Sequence, residues 1–112
     1  MAYDEALAER IRALVGDGAD VTEQKMFGGL AFLAGGHMAV AASGQGGILV
    51  RVDPDVADDL VATTSAHVME MRGRPMSGWL RVDAEDVAAD TELAAWVERG
   101  VGYARSLPPK RR

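Results

Sequence analysis

With 112 residues, 48% of them hydrophobic, the chain can build one domain with a real core, but aromatics at 5% leave that core to Val, Leu, Ala and Met. The lack of cysteine excludes disulfides, thiolate nucleophiles and zinc–thiolate sites; no segment approaches the roughly 18 apolar residues of a membrane span; and the acidic start Met1-Ala2-Tyr3-Asp4-Glu5 is unlike a secretory leader, so a cytoplasmic location is expected. Net charge is −5, or −8 without the cations of Lys110-Arg111-Arg112, a poor match for a phosphate backbone, so direct nucleic-acid binding is not expected.

Tyr3 to Val15 reads as a helix. Leu7, Ile11, Leu14 and Val15 recur at helical spacing, Asp4, Glu5, Glu9, Arg10 and Arg12 fall opposite, and Gly16 stops it. After the loop Asp17-Gly18-Ala19-Asp20, Val21 to Met26 is a strand. The apolar stretch Lys25 to Leu33 that follows is broken by Gly28-Gly29, a pair that reads as a kink within β structure. Leu30 to Leu33, a tight turn at Gly35-Gly36, His37 to Ala42, and Ile48 to Val52 continue as short strands, whose glycine-rich links indicate antiparallel hairpins. Asp53-Pro54 starts a short helix, with Asp53 as N-cap and Val56, Leu60 and Val61 as its apolar side.

Val68 to Met71 and Trp79 to Val82 are two more strands, joined by Arg72-Gly73-Arg74-Pro75-Met76-Ser77-Gly78, which reads as a loop. Asp83 can cap a further helical turn. Asp90 to about Leu107 forms a longer helix lined by Leu93, Trp96, Val97, Val101, Ala104 and Leu107, and Pro108-Pro109 ends it. Gly100 and Gly102 each cost that helix roughly 1 kcal/mol against Ala, so a close neighbour is expected at those positions. The whole is an α+β domain of two layers, an antiparallel sheet with helices packed on one face and a helix at each end of the chain. Residues 108–112 are expected to be a solvated, disordered basic tail.

Lys25-Met26-Phe27-Gly28-Gly29, Gly73-Arg74-Pro75-Met76-Ser77-Gly78-Trp79 and the closing Ala104-Arg105-Ser106-Leu107-Pro108, with the opening Tyr3-Asp4-Glu5 and Leu7, resemble the N-terminal domain of the TfoX/Sxy family. The resemblance covers about residues 3 to 109. It implies a small two-layer α+β domain and a link, through transcriptional control, to the regulation of natural competence in bacteria. Longer family members carry a second, C-terminal domain for which these 112 residues leave no room, so a single-domain member is implied. The family supplies no catalytic residue to carry over.

The residues themselves offer no catalytic constellation, metal set or cofactor motif. His37 and His67 stand outside any ligand pattern, and Asp53, Asp55, Asp58 and Asp59 lack the glycine and terminal glutamate of a calcium loop. Gly28-Gly29 admits two readings, a backbone anion nest or a structural bend, and the missing phosphate-loop pattern favours the bend; Phe27 reads as core. Met26, Phe27, Gly28, Gly29, Gly73, Pro75 and Gly78 are accordingly read as a structural motif. Arg72 and Arg74 suit a carboxylate or phosphate, Pro75 stiffens their loop and Trp79 offers a flat face, against the plainer reading in which the cations pair with the chain's own acids. Strand alternation adds Arg51 and Arg81 to the same sheet face as Trp79, with Ala31, Ala39, Ala41 and Leu49. A face of small apolar residues, Arg and Trp suits docking by a second copy or another protein. The expected function is a non-enzymatic interaction module; the alternative is a small-molecule or anion binder using Arg51, Arg72, Arg74, Trp79 and Arg81.

Overall fold

The computed structural model describes residues 3–16, 20–26, 28–71 and 73–108; Phe27, Arg72 and the basic tail from 109 onward lie outside them. Local signals set each element. Helix α1 (Glu5–Val15) starts where the Asp4 carboxylate accepts the Leu7 amide at 3.1 Å, two residues later than periodicity alone suggests. Strands β1 (Val21–Met26) and β2 (Gly29–Ala34) pair antiparallel with Met26 opposite Gly29. The expected kink at Gly28-Gly29 is therefore a chain reversal between two strands. Gly28 has φ 75°. A Cβ on Gly29 would stand 2.1 Å from the Ala42 carbonyl oxygen, so the neighbouring strand, rather than a bend, demands that glycine.

The Gly35-Gly36 turn, both residues at positive φ, delivers strand β3 (His37–Ala42) as expected. Strand β4 (Ile48–Arg51) leads to helix α2 (Pro54–Thr63), where Asp53 Oδ1 accepts the Asp55 amide at 2.9 Å and Pro54 opens the first turn. Strands β5 (His67–Met71) and β6 (Arg74–Val82) form the next hairpin. The loop expected from Arg72 to Gly78 is mostly strand: β6 begins at Arg74, paired with Met71, and a register shift between Val68 and Glu70 takes up the extra residues before Trp79. A 3₁₀ turn, Ala84–Val87, precedes helix α3 (Asp90–Ser106). Asp83 does not cap that turn with its side chain.

All six strands join one antiparallel sheet in the order β1-β2-β3-β4-β6-β5. β5 thus takes the far edge, and β6 returns between it and β4. The three helices cover one face. Ile11 of α1, Phe32, Val40, Ile48, Val50 and Leu80 of the sheet, and Leu93 and Trp96 of α3 share one core with Ala57 of α2. Among the described residues no polar or charged residue is buried, so apolar contact alone holds that core. Two expected core positions are corrected. Leu14 is 42% exposed and Val56 is 44% exposed, because each lines an open groove beside α3, Leu14 between α1 and α3 and Val56 between α2 and α3. His37 closes the end of the domain: its Nε2–H donates to the Pro108 carbonyl at 2.6 Å, tying the β2–β3 turn to the end of α3.

Ion pairs fasten α1 and α3 to the sheet edge. Arg12 Nε and Nη2 donate to the two Glu23 oxygens at 2.5 and 2.8 Å, and Arg105 Nε and Nη2 donate to those of Asp20 at 3.0 and 3.1 Å. Hydrogen bonding from the guanidinium holds the Glu23 and Asp20 carboxyls below their ordinary range. A depressed carboxyl stabilises the fold fully above its unfolded value, about 4 for either residue, and loses that contribution as pH falls through the lower folded value. Thermal stability is therefore expected to fall below about pH 4, and Glu23→Gln is expected to flatten part of that acid limb. Equal slopes in the two proteins between about pH 4 and pH 2 would show that the Arg12 pair contributes nothing, as many exposed pairs do.

Candidate functional site

The helix-free face of the sheet is built by the register of β4 on β6, which sets Leu49 opposite Arg81 and Arg51 opposite Trp79. Between them Val50 and Leu80 point the other way, into the helix-side core. This alternation places Arg51, Trp79 and Arg81 on one face, as the strand pattern predicts. Ala31, Met38, Ala41 and Leu49 form a second apolar cluster there, with Leu33, Met69 and Trp79 packed against it.

Two details differ from expectation. Ala39 does not share this face. A register shift between Phe32 and Leu33 sets Leu33 opposite Met38, so Met38 joins the second cluster and Ala39 joins the helix-side core. The small residues are also not open to solvent: Ala31, Ala41 and Leu49 are at most 3% exposed. The accessible part of the face is thus the half-buried Leu33, Met69 and Trp79 with the arginines around them, a narrower surface than a bare sheet.

The arginines are held rather than loose. The Arg51 guanidinium carbon lies 5.3 Å from the Trp79 ring centroid and 5.7 Å from that of Tyr103 on α3, so one cation is shared by two rings from opposite layers. Arg81 Nη1 donates to Gln45 Oε1 at 2.8 Å and its Nη2 to the Gly46 carbonyl at 3.3 Å, which fixes the β3–β4 loop over the end of the sheet. Arg74 stands opposite Met71 at the hairpin end of β6, exposed, with Gly73 at φ 78° before it and Pro75 after it. Gly78, at φ 82° within β6, stands against the link from β4 to α2: a Cβ there would lie 2.9 Å from the Val52 carbonyl oxygen and 3.2 Å from Pro54 Cγ. The structure therefore brings Arg51 and Trp79 together, sets Arg81 one strand position-pair away, and leaves Arg74 at the tip. The four described candidates do not converge on one pocket. The indentation beside Leu49, Met69 and Arg81 measures about 40 Å³, far below the volume of a metabolite site.

Three features escape a reading of the sequence. Tyr103 reaches Arg51 across 52 positions, through no local pattern. The 3₁₀ turn gathers the Asp83, Glu85 and Asp86 carboxylates within 4.8 Å of one another, two of them exposed, an arrangement common among surface acids. Asp83 in addition faces His67, Oδ1 to Nε2 at 3.4 Å. The third is a pair of grooves between the helices, one of about 330 Å³ between α1 and α3 and one of about 430 Å³ between α2 and α3.

The family model of the TfoX N-terminal domain matches residues 13–104. That span contains the Lys25 to Gly29 and Gly73 to Trp79 stretches, and leaves out the opening Tyr3 to Leu7 and all but the first residue of the closing Ala104 to Pro108. No curated protein matches the chain.

Proposed function

Because the chain belongs to the TfoX N-terminal domain family, we propose that it is a non-enzymatic interaction module of the regulatory kind that family name suggests, meeting a protein partner across the helix-free face of its sheet. The observation that supports this best is the Arg51–Trp79 pair. A flat aromatic surface carrying a cation preset by two rings is the kind of anchor that dominates protein interfaces, and Leu33 and Met69 give it an apolar surround. Arg81 and Arg74 add positive charge at the margin, so the partner presents acidic groups around an apolar centre. Anion binding is the weaker reading, since Arg51 and Arg81 are already engaged and Arg74 stands apart.

The test compares proteins captured from native cells by the wild-type chain, by Trp79→Ala and by Arg51→Ala. A partner held by the wild type is expected to bind either variant at least about 30-fold more weakly, a loss of about 2 kcal/mol, with circular dichroism unchanged. Equal retention by all three proteins would move the docking surface elsewhere. A saturable thermal stabilisation by phosphate or a small carboxylate, lost in Arg74→Ala, would favour the anion reading instead.

A further inference from the structure

The groove between α1 and α3 contains a glycine that the fold itself does not explain. Gly102 lies in the interior of α3, where glycine is the poorest helix former after proline. Two residues earlier, Gly100 is required, because Ala39 stands against it. At Gly102 nothing lies within 4 Å of the position a Cβ would take. The missing side chain deepens a groove of about 330 Å³ whose floor and walls include Leu14, Val15, Val97 and Val101. Leu14 is 42% exposed there, one of two large hydrophobics so exposed among the described residues. An apolar groove, an exposed leucine and an unfilled helix position coincide on one surface.

The charges on that surface match one another. Glu98 and Arg105 both line the groove, on the same side of α3. Glu98 precedes the midpoint of Val101 and Gly102 by the same number of residues by which Arg105 follows it. A two-fold axis through that midpoint lays α3 antiparallel on its own copy, sets Glu98 against Arg105 of the second chain twice over, and sets Val101 against the Gly102 notch. Self-complementarity of this kind is what a two-fold interface requires. Arg105 can serve both partners: its Nε and Nη2 donate to Asp20, and its Nη1 carries no hydrogen bond among the described residues. The ion pairs set the register, and burial of Leu14, Val15 and Val101 from both chains supplies the attraction.

We infer that the α1–α3 groove is a self-association surface, in which two copies of this chain pack α3 against α3, antiparallel, at Gly102. The surface lies on the helix layer, apart from the sheet face proposed above for a different partner, and neither proposal depends on the other.

Sedimentation velocity on the full chain over a wide concentration range tests it. The wild type is expected to dimerise. Gly102→Leu fills the notch and is expected to be monomeric at every concentration, with a Tm no lower than that of the wild-type monomer, because leucine is the better helix former and has open space to enter. Glu98→Arg is expected to weaken the dimer roughly tenfold or more, two attractive pairs having become repulsive, and adding Arg105→Glu is expected to recover most of that loss. Trp79→Ala should leave the dimer intact. A wild type that stays monomeric throughout, a folded Gly102→Leu protein that still dimerises, or a dimer lost in Trp79→Ala and kept in Gly102→Leu would each overturn the inference.

Discussion

Truncating Trp96 to alanine is expected to remove about 3–5 kcal/mol of folding stability. Trp96 is the largest of the fully buried side chains, 2% exposed, in a core whose aromatic share is small. It projects from α3 into the apolar cluster that joins all three helices to the sheet. The Arg99 guanidinium lies 4.6 Å from its ring centroid, so the indole is packed on its outer side too. Alanine would leave a void that these neighbours cannot close without lifting α3 from the sheet. Domains of this kind hold about 5–15 kcal/mol in total, so the variant should unfold well below the wild-type denaturant midpoint, and its Tm should fall by roughly 15 °C or more. Urea titration followed by tryptophan-independent far-UV dichroism measures it. A loss under about 1 kcal/mol would mean that α3 does not pack on the sheet through this residue.

Signals confined to a few neighbouring residues were legible in the sequence. The Gly35-Gly36 turn, the Asp53-Pro54 helix start and the alternation of Leu49, Val50 and Arg51 depend on local backbone chemistry, and each stands as expected. The family and the two-layer α+β architecture were readable for the same reason. What escaped was set at a distance. Lys25 to Leu33 is apolar on both sides of Gly28-Gly29, and a glycine pair suits a kink as well as a reversal, so nothing local decides between them; the pairing of Met26 with Gly29 does. The shift that moves Ala39 off the helix-free face belongs to the β2–β3 ladder, not to either strand alone. Helical periodicity located the apolar sides of α1 and α2 but not how closely α3 comes to lie beside them, hence the exposed Leu14 and Val56 in the grooves that remain.

The candidate site divides along the same line. Arg51, Trp79 and Arg81 share a face because strand parity is local. Their engagement with Tyr103, Gln45 and Gly46 depends on how α3 and the β3–β4 loop come to rest on the sheet. The gathering of cations seen in the sequence around Arg72 and Arg74 reflected proximity along the chain. Because β6 begins at Arg74 and runs nine residues, that arginine is carried to the hairpin tip, away from the aromatic pair.

The glycines of α3 supply a sharper test, because two of them, Gly100 and Gly102, should respond with opposite sign although they stand only two positions apart. Gly100→Ala would place its Cβ 2.4 Å from the Ala39 carbonyl oxygen, 3.0 Å from the Ala39 carbonyl carbon and 3.1 Å from Val50 Cγ1. The first two are backbone atoms of β3, which is hydrogen-bonded on both sides within the sheet and cannot yield by a change of rotamer. The helix must move outward instead, opening the contacts of Trp96 and Val97 with the core. Overpacking of this sort costs about 1–3 kcal/mol, and more where backbone is the obstacle; the gain in helix propensity, about 1 kcal/mol, offsets only part of it. Gly102→Ala meets no atom within 4 Å, so at protein concentrations low enough to keep the chain monomeric it should show the propensity gain alone and stabilise the domain by roughly 0.5–1 kcal/mol. Denaturant midpoints of the two variants should therefore fall on either side of the wild type. If Gly100→Ala is the more stable of the pair, then α3 does not approach β3 as closely as Ala39 and Gly100 imply, and the seating of the whole helix layer on the sheet must be different.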